Sequence, residues 1–228
     1  MPEKVPNAGM PGRKRRSTAP HEQQLPSGRH GLAPRFVTAN QRDRIVDALV
    51  DVVFSLGYQA ASVERVSARA GVSRRTFYEQ FEGREDVFLR ACDEAGARLF
   101  AQVDARRASG TSASEQLHAG LEALLDGLAS EPRVAHLCVV AVLSAGPQAI
   151  EHRDTQMRAF AGLLDEIARE HDGAPLPPLT AEGIVGAVYD VVYKRIAAGQ
   201  ASELPDLLDD LHGFCMMLFR HASDPRPE

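Results

Sequence analysis

The sequence predicts an all-α protein of about nine helices: a small N-terminal three-helix unit containing a helix-turn-helix, followed by a larger helical half. Two observations carry this. Segment after segment places its apolar residues at helical spacing with no sustained strand alternation, and "SVERVSARAGVSRRTFYEQF" sets two short capped helices on either side of a Gly-Val-Ser turn. A third observation divides the chain by charge. Residues 1–36 hold seven Lys/Arg against two acids, 37–90 eight against eight, and 91–228 eleven against twenty-one, within a total of -5. A basic front and an acidic back imply two tasks, with any polyanion handled by the front.

The 228 residues, 44% apolar and 25% charged, are ordinary for a soluble globular protein with a proper core. The longest apolar run, "VAHLCVVAVLSA" at 134–145, is shorter than the roughly 18–20 residues of a membrane span. No apolar run follows "GRKRR" at 12–16, so it is not the start of a secretory signal. A cytoplasmic protein is expected. Cys92, Cys138 and Cys215 form no close pair, which argues against a disulfide framework or a Cys-x-x-Cys site.

Residues 1–36, rich in Pro, Gly, Ser and Gln, show no apolar period and are expected to be a disordered basic arm, with Arg13, Lys14, Arg15 and Arg16 placed to follow DNA phosphates. A DNA-binding domain is assigned to 37–83. It opens on Thr38 as an N-cap with Gln41 three residues on, and a helix whose Ile45, Leu49, Val52, Val53 and Leu56 share a face until Gly57 stops it. Ser62 caps a second helix packed through Val63 and Val66, Gly71 supplies the turn, and Ser73 caps a third. A fourth begins after Gly83, with Glu85 and Asp86 in its dipole-favoured first turn. The regulatory half, 84–220, continues with helices near 113–130, 132–145, 147–171, 180–199 and 204–220, before a tail at 221–228.

On the third helix Phe77 and Phe81 lie four apart and enter the core, so Arg74, Arg75 and Tyr78 point elsewhere. Arginine at a helix N-terminus opposes the dipole and is a poor choice for stability alone. Its planar fork suits a guanine edge or a phosphate, and Ser73 with the free N–H groups of that turn would add an anion site.

The 54 residues from Thr38 to Ala91 resemble the N-terminal domain of the TetR family of bacterial transcriptional regulators. The shared features are Gly-Tyr after the first helix, Ser62, "AGVS" at the turn, Phe-Tyr-x-x-Phe in the third helix and the basic-acidic opening of the fourth. The resemblance implies that Ser62, Arg74, Arg75, Thr76 and Tyr78 face DNA beside the Ser73 anion site, with Tyr78 on the phosphates and Arg84, where the family usually has Lys, contacting phosphate. Glu79 and Gln80 depart from the family pattern of neutral or basic residues, leaving the operator sequence open. It further implies a homodimeric repressor on a palindromic double-stranded operator, released by an unknown small-molecule effector; from the residues themselves no catalysis, cofactor or membrane role is expected.

Two helices of the back half carry more apolar surface than one face needs. Val185, Val188 and Val192 in one, with Leu208, Leu211, Cys215 and Leu218 in the other, are the candidate dimer contact, aided by the smooth patch at Gly183 and Gly186. Candidate ligand-lining residues are Phe100, Leu121, Leu125, His136, Cys138, Val142, Met157, Phe160, Tyr189 and Tyr193, apolar walls with a few polar groups. The histidines lack metal-ligand spacing, so no metal site is expected. No phosphate loop, nucleophile elbow or carboxylate pair suggests an enzyme. Two other readings stay open: a ligand-independent architectural DNA-binding protein, and an all-α ligand-binding protein or enzyme with a coincidental helix-turn-helix.

Overall fold

The computed structural model describes residues 34–223. The basic cluster Arg13 to Arg16 lies outside them. Among the described residues there are nine α-helices and no strand: α1 Pro34–Leu56, α2 Val63–Ala70, α3 Arg74–Gln80, α4 Arg84–Arg107, α5 Ala113–Ser130, α6 Pro132–Ala135, α7 Pro147–Asp172, α8 Thr180–Ala197 and α9 Leu208–Ser223. The first helix starts four residues before the expected cap at Thr38. Proline at the opening position costs nothing there, because its missing N–H would have no helical partner.

Two cores divide the molecule. The first joins α1–α3 to the start of α4 and to 137–149 through Leu49, Val53, Val66, Phe77, Phe88 and Val142. The second lies among α5, α7, α8 and α9, with Leu125, Ile167, Ile184, Val192 and Cys215 near its centre. Helix α4 reaches from one to the other and is the covalent axis between the two halves.

The expected single helix over 132–145 is three pieces. After α6, residues His136–Val140 widen into a π-helical turn, and Ala141–Ser144 tighten into a 3₁₀ turn. The Tyr189 hydroxyl of α8 donates to the Val139 carbonyl at 2.7 Å, a partner outside the segment's own helical bonding. Likewise the last helix is preceded by a 3₁₀ turn over Ala201–Leu207, which contains Pro205 and so cannot keep regular α bonding.

Of the proposed dimer residues, Val188, Val192, Leu211 and Cys215 are buried within the chain itself. A second copy cannot reach side chains already enclosed, so contact through α8 and α9 would use their outward faces. Those carry Gly183, Gly186 and Met217, with half-buried Phe214 and Leu218 beside them. No helix among the described residues is long and apolar enough to cross a membrane.

Candidate DNA-reading head and ligand channel

The head is built around its turn. The Ser62 hydroxyl accepts the Arg65 N–H at 3.2 Å, and the Ser73 hydroxyl accepts the Thr76 N–H at 3.0 Å, so both short helices start on a side-chain cap. Between them Gly71 adopts φ +64°, and Arg44 of α1 donates to the carbonyls of Ala70 and Gly71. A Cβ at Gly71 would stand 2.7 Å from that guanidinium, which could swing aside only by giving up its hold on the turn, so it is the left-handed conformation that demands glycine.

Phe77 and Phe81 are buried, 6.0 Å apart between ring centres, which fixes the rotation of α3 and leaves Arg74, Arg75 and Tyr78 outward. Thr76 is half-buried and shares a 2.9 Å hydroxyl contact with Ser73. The Arg75 side chain is 89% exposed, yet its Nε donates to Glu79 at 2.9 Å. Glu79 therefore shares the exposed face of α3 as the partner of Arg75. Arg84 lies over the Tyr58 ring at 4.6 Å and reaches the Gln59 carbonyl at 3.4 Å, steadied at the start of α4.

Removing the Glu79 charge should tighten DNA binding. An exposed pair of this kind is worth at most about 1 kcal/mol, whereas its carboxylate would stand close to phosphate. Glu79→Gln should raise affinity several-fold for all sequences at low salt, a gain that shrinks as salt rises, in a fluorescence-anisotropy titration. Unchanged affinity would mean that Glu79 lies away from bound DNA.

In the second half, α4 and α7 run side by side in the same direction. Asp93 meets His152 at 3.2 Å, and Arg107 meets Glu166 at 2.6 Å. The two contacts are equally spaced on both helices, about 21 Å apart at 1.5 Å per residue. Between them lies a cavity of about 190 Å³. Since one water needs only about 10–15 Å³ by this measure, the space is of ligand scale.

Its walls are apolar: Leu99 and Val103 from α4, Leu117 and Leu121 from α5, Leu163 and Ile167 from α7, Ile184 and Val192 from α8. Gly96 and Gly120 keep side chains out of the lumen edge. The half-buried lining residues Arg153, Gln156 and Met157 lie nearer His152 than Glu166, with Tyr189 beside Arg153. There Arg153 stacks on Tyr189 at 5.0 Å and meets Asp154 at 3.0 Å, while its Nε is buried without a partner. Burial raises the Tyr189 phenol above its ordinary range, so it acts as a neutral donor.

The sequence-derived lining residues separate by position. Leu121, Cys138, Met157, Phe160 and Tyr189 stand in the cavity wall. Phe100 packs behind Phe160 at 5.4 Å, and Tyr193 stacks on Tyr189 at 6.4 Å. Leu125 is fully buried in the second core, and Val142 belongs to the first. His136 faces Phe54 of α1, ring centres 5.4 Å apart, with its imidazole pushed toward the neutral form by burial. Arg107 and Gln116, absent from the sequence reading, close the far end.

Two of the thiols, Cys92 and Cys215, are unreactive in character. A hydrogen bond with Cys138, then burial, holds the Cys92 thiol well above its ordinary value, and burial pushes Cys215 up to about 11. Among the described residues no group of three or more His, Cys, Asp or Glu could hold a metal ion.

Residues 45–91 match the family of bacterial regulatory proteins, tetR family. The reading head is a DNA-binding domain of the TetR type. Among its relatives, the HTH-type transcriptional activator FasR of Mycolicibacterium smegmatis is 26% identical over 101 residues, 44% of this chain and 46% of the relative. The fatty acid metabolism regulator protein of Bacillus subtilis is 21% identical over 127 residues, 56% of this chain and 66% of the relative. These matches thus span about half and just under two thirds of the relatives' lengths. The shared fold extends beyond that domain. The chain superposes on the fatty acid degradation regulator FadR of Bacillus halodurans with a TM-score of 0.69 at 22% identity, covering 83% of this chain and 97% of that one. For FadR of Bacillus subtilis in complex with stearoyl-CoA the TM-score is 0.66 at 18% identity, covering 76% and 96%.

Proposed function

We propose that this protein is a homodimeric, cytoplasmic, non-enzymatic repressor of the TetR type whose DNA affinity is set by a long-chain acyl thioester in the α4–α8 channel. The observation that carries the reading is the channel itself: about 21 Å of apolar wall between two polar ends, in a fold shared with a regulator that binds stearoyl-CoA. A long linear chain fits such a space. The anionic coenzyme phosphates would stay at the His152 end, taken as the mouth of the channel, near the unpartnered Arg153 Nε.

Ser62, Ser73, Arg74, Arg75, Thr76 and Tyr78 are assigned to the DNA face and Arg84 to phosphate. Two heads must match half-sites of a palindrome about one helical turn, roughly 34–36 Å, apart. The path from ligand to head runs through the π-helical turn. Cys138 and Val139 line the cavity, while His136 of the same turn packs on Phe54 of α1. Arg133 pairs with Asp51 of α1 and Gln59 donates to the Ser144 carbonyl, so the segment is tied to the head on both sides. A ligand that moves this turn rotates α1 and changes head spacing. Carrying the equilibrium from 1:99 to 99:1 takes about 5.5 kcal/mol of differential affinity.

Selection of genomic fragments by the purified protein, with and without oleoyl-CoA, tests the reading. The expected result is a short palindrome whose occupancy falls with the thioester. On that site Arg75→Ala should cost about 1–3 kcal/mol and relax one base position, whereas Arg84→Ala should weaken all sequences alike and lower the salt slope by about one. Broad coverage without a palindrome would indicate an architectural role, and absence of DNA capture would remove the reading. Activation, the mode in the FasR name, is the second reading; a promoter fusion whose expression falls on deletion of the gene would select it.

A further inference from the structure

The far end of the channel holds a polar group that the acyl-thioester reading leaves unused. Gln116 is 7% exposed and lines the cavity. Its Nε2 donates to Glu170 at 3.2 Å and toward the Gly110 carbonyl at 3.4 Å, both acceptors, which fixes the orientation of the amide. Oε1 is consequently left buried with no partner. A buried acceptor without a donor is costly and rare, and a few placed polar groups in an apolar wall are what orient a ligand.

Beside it, Arg107 is 9% exposed and also lines the cavity. Its guanidinium is engaged by three carboxylates: Asp104 at 2.9 Å, Glu166 at 2.6 Å and Glu170 at 3.7 Å. None of the three carboxylates reaches the cavity wall. This arrangement selects among chain ends. A terminal carboxylate would meet a cation already outnumbered by acids, and a terminal ammonium would meet the guanidinium after losing its water in an apolar channel. A neutral hydroxyl has a ready acceptor.

We infer that the Gln116–Arg107 end is a subsite for a neutral hydrogen-bond donor, a hydroxyl at the end of the ligand chain remote from its anionic group, received by Gln116 Oε1. The inference rests on the acyl-thioester reading and adds a specificity to it: the effector is a chain hydroxylated at or near its terminus.

Matched acyl-CoA esters ending in methyl, hydroxyl or carboxylate, from dodecanoyl to octadecanoyl, test this by calorimetric titration of the full-length protein. At the length that reaches Gln116 the hydroxyl form should bind about three- to tenfold tighter than the methyl form, as one net hydrogen bond allows. The carboxylate form should bind least well. Gln116→Leu, checked for folding by its thermal transition, should reverse the order of hydroxyl and methyl. A methyl preference at every length in the parent protein would overturn the subsite and leave the thioester reading standing. The same preference in parent and Gln116→Leu would place the hydroxyl elsewhere and also overturn it. No binding by any of the esters would remove both.

Discussion

Phe77→Ala is expected to abolish DNA binding by unfolding the reading head. Helix α3 has seven residues, too short to hold itself together, since isolated helices below about 12–15 residues are marginal in water. Its conformation is therefore supplied by contacts, and Phe77, fully buried, is the largest of them. Truncating a buried phenylalanine costs about 3–5 kcal/mol, a large share of the 5–15 kcal/mol that holds a typical domain folded. The comparison that gives this meaning is Arg75→Ala, which touches only an exposed pair. Urea unfolding should show a much lower midpoint for Phe77→Ala and a parental one for Arg75→Ala, while Phe77→Ala loses operator binding and Arg75→Ala only weakens it. Equal midpoints for Phe77→Ala and parent would mean that α3 is held by something other than its apolar face.

That contrast also marks how far the sequence could be read. The turn was legible because everything it needs is local: two serines that cap, a glycine at φ +64°, and two phenylalanines one helical turn apart. The clamp by Arg44, on the helix before, was not, because nothing in its own neighbourhood distinguishes it from a solvated arginine. The π-helical turn at His136–Val140 is met by a Tyr189 hydroxyl fifty positions away, so "VAHLCVVAVLSA" alone reads as one helix.

The channel was harder still. Leu121 and Leu125 share one face of α5 and one kind of side chain, yet only the first reaches the cavity. Which side of an apolar helix faces a void depends on how neighbouring helices rotate, and spacing carries no record of that. Arg107 did leave a trace. Glu166 and Glu170 stand four apart near the C-terminus of α7, where like charges repel and acids oppose the dipole. Such a pair is poor helix design unless a buried cation faces it. The dimer contact failed to separate for a related reason, since α8 and α9 use their richest apolar stripes to close their own core.

Affinity for saturated acyl-CoA esters should rise steeply with chain length and then stop. Each methylene moved from water into an apolar wall contributes about 0.8 kcal/mol, roughly a fourfold gain in affinity, so eight added methylenes should strengthen binding by nearly five orders of magnitude, on the order of 10⁵. The gain ends where the chain meets Arg107, because further carbons would have to part a buried guanidinium from its carboxylates, and breaking such contacts costs about 3–5 kcal/mol. Gly120 sets where that limit falls. A Cβ there would lie 3.7 Å from both Arg107 and Val103, an ordinary contact, and a longer side chain would extend into the lumen. Gly120→Leu should therefore fold normally, leave short esters bound as before, and move the limit to chains several carbons shorter. Titration of both proteins with the same series reads the limit directly. Affinity that climbs without a break, or a limit unmoved by Gly120→Leu, would show that the chain does not lie between α4 and α5 on its way to Arg107.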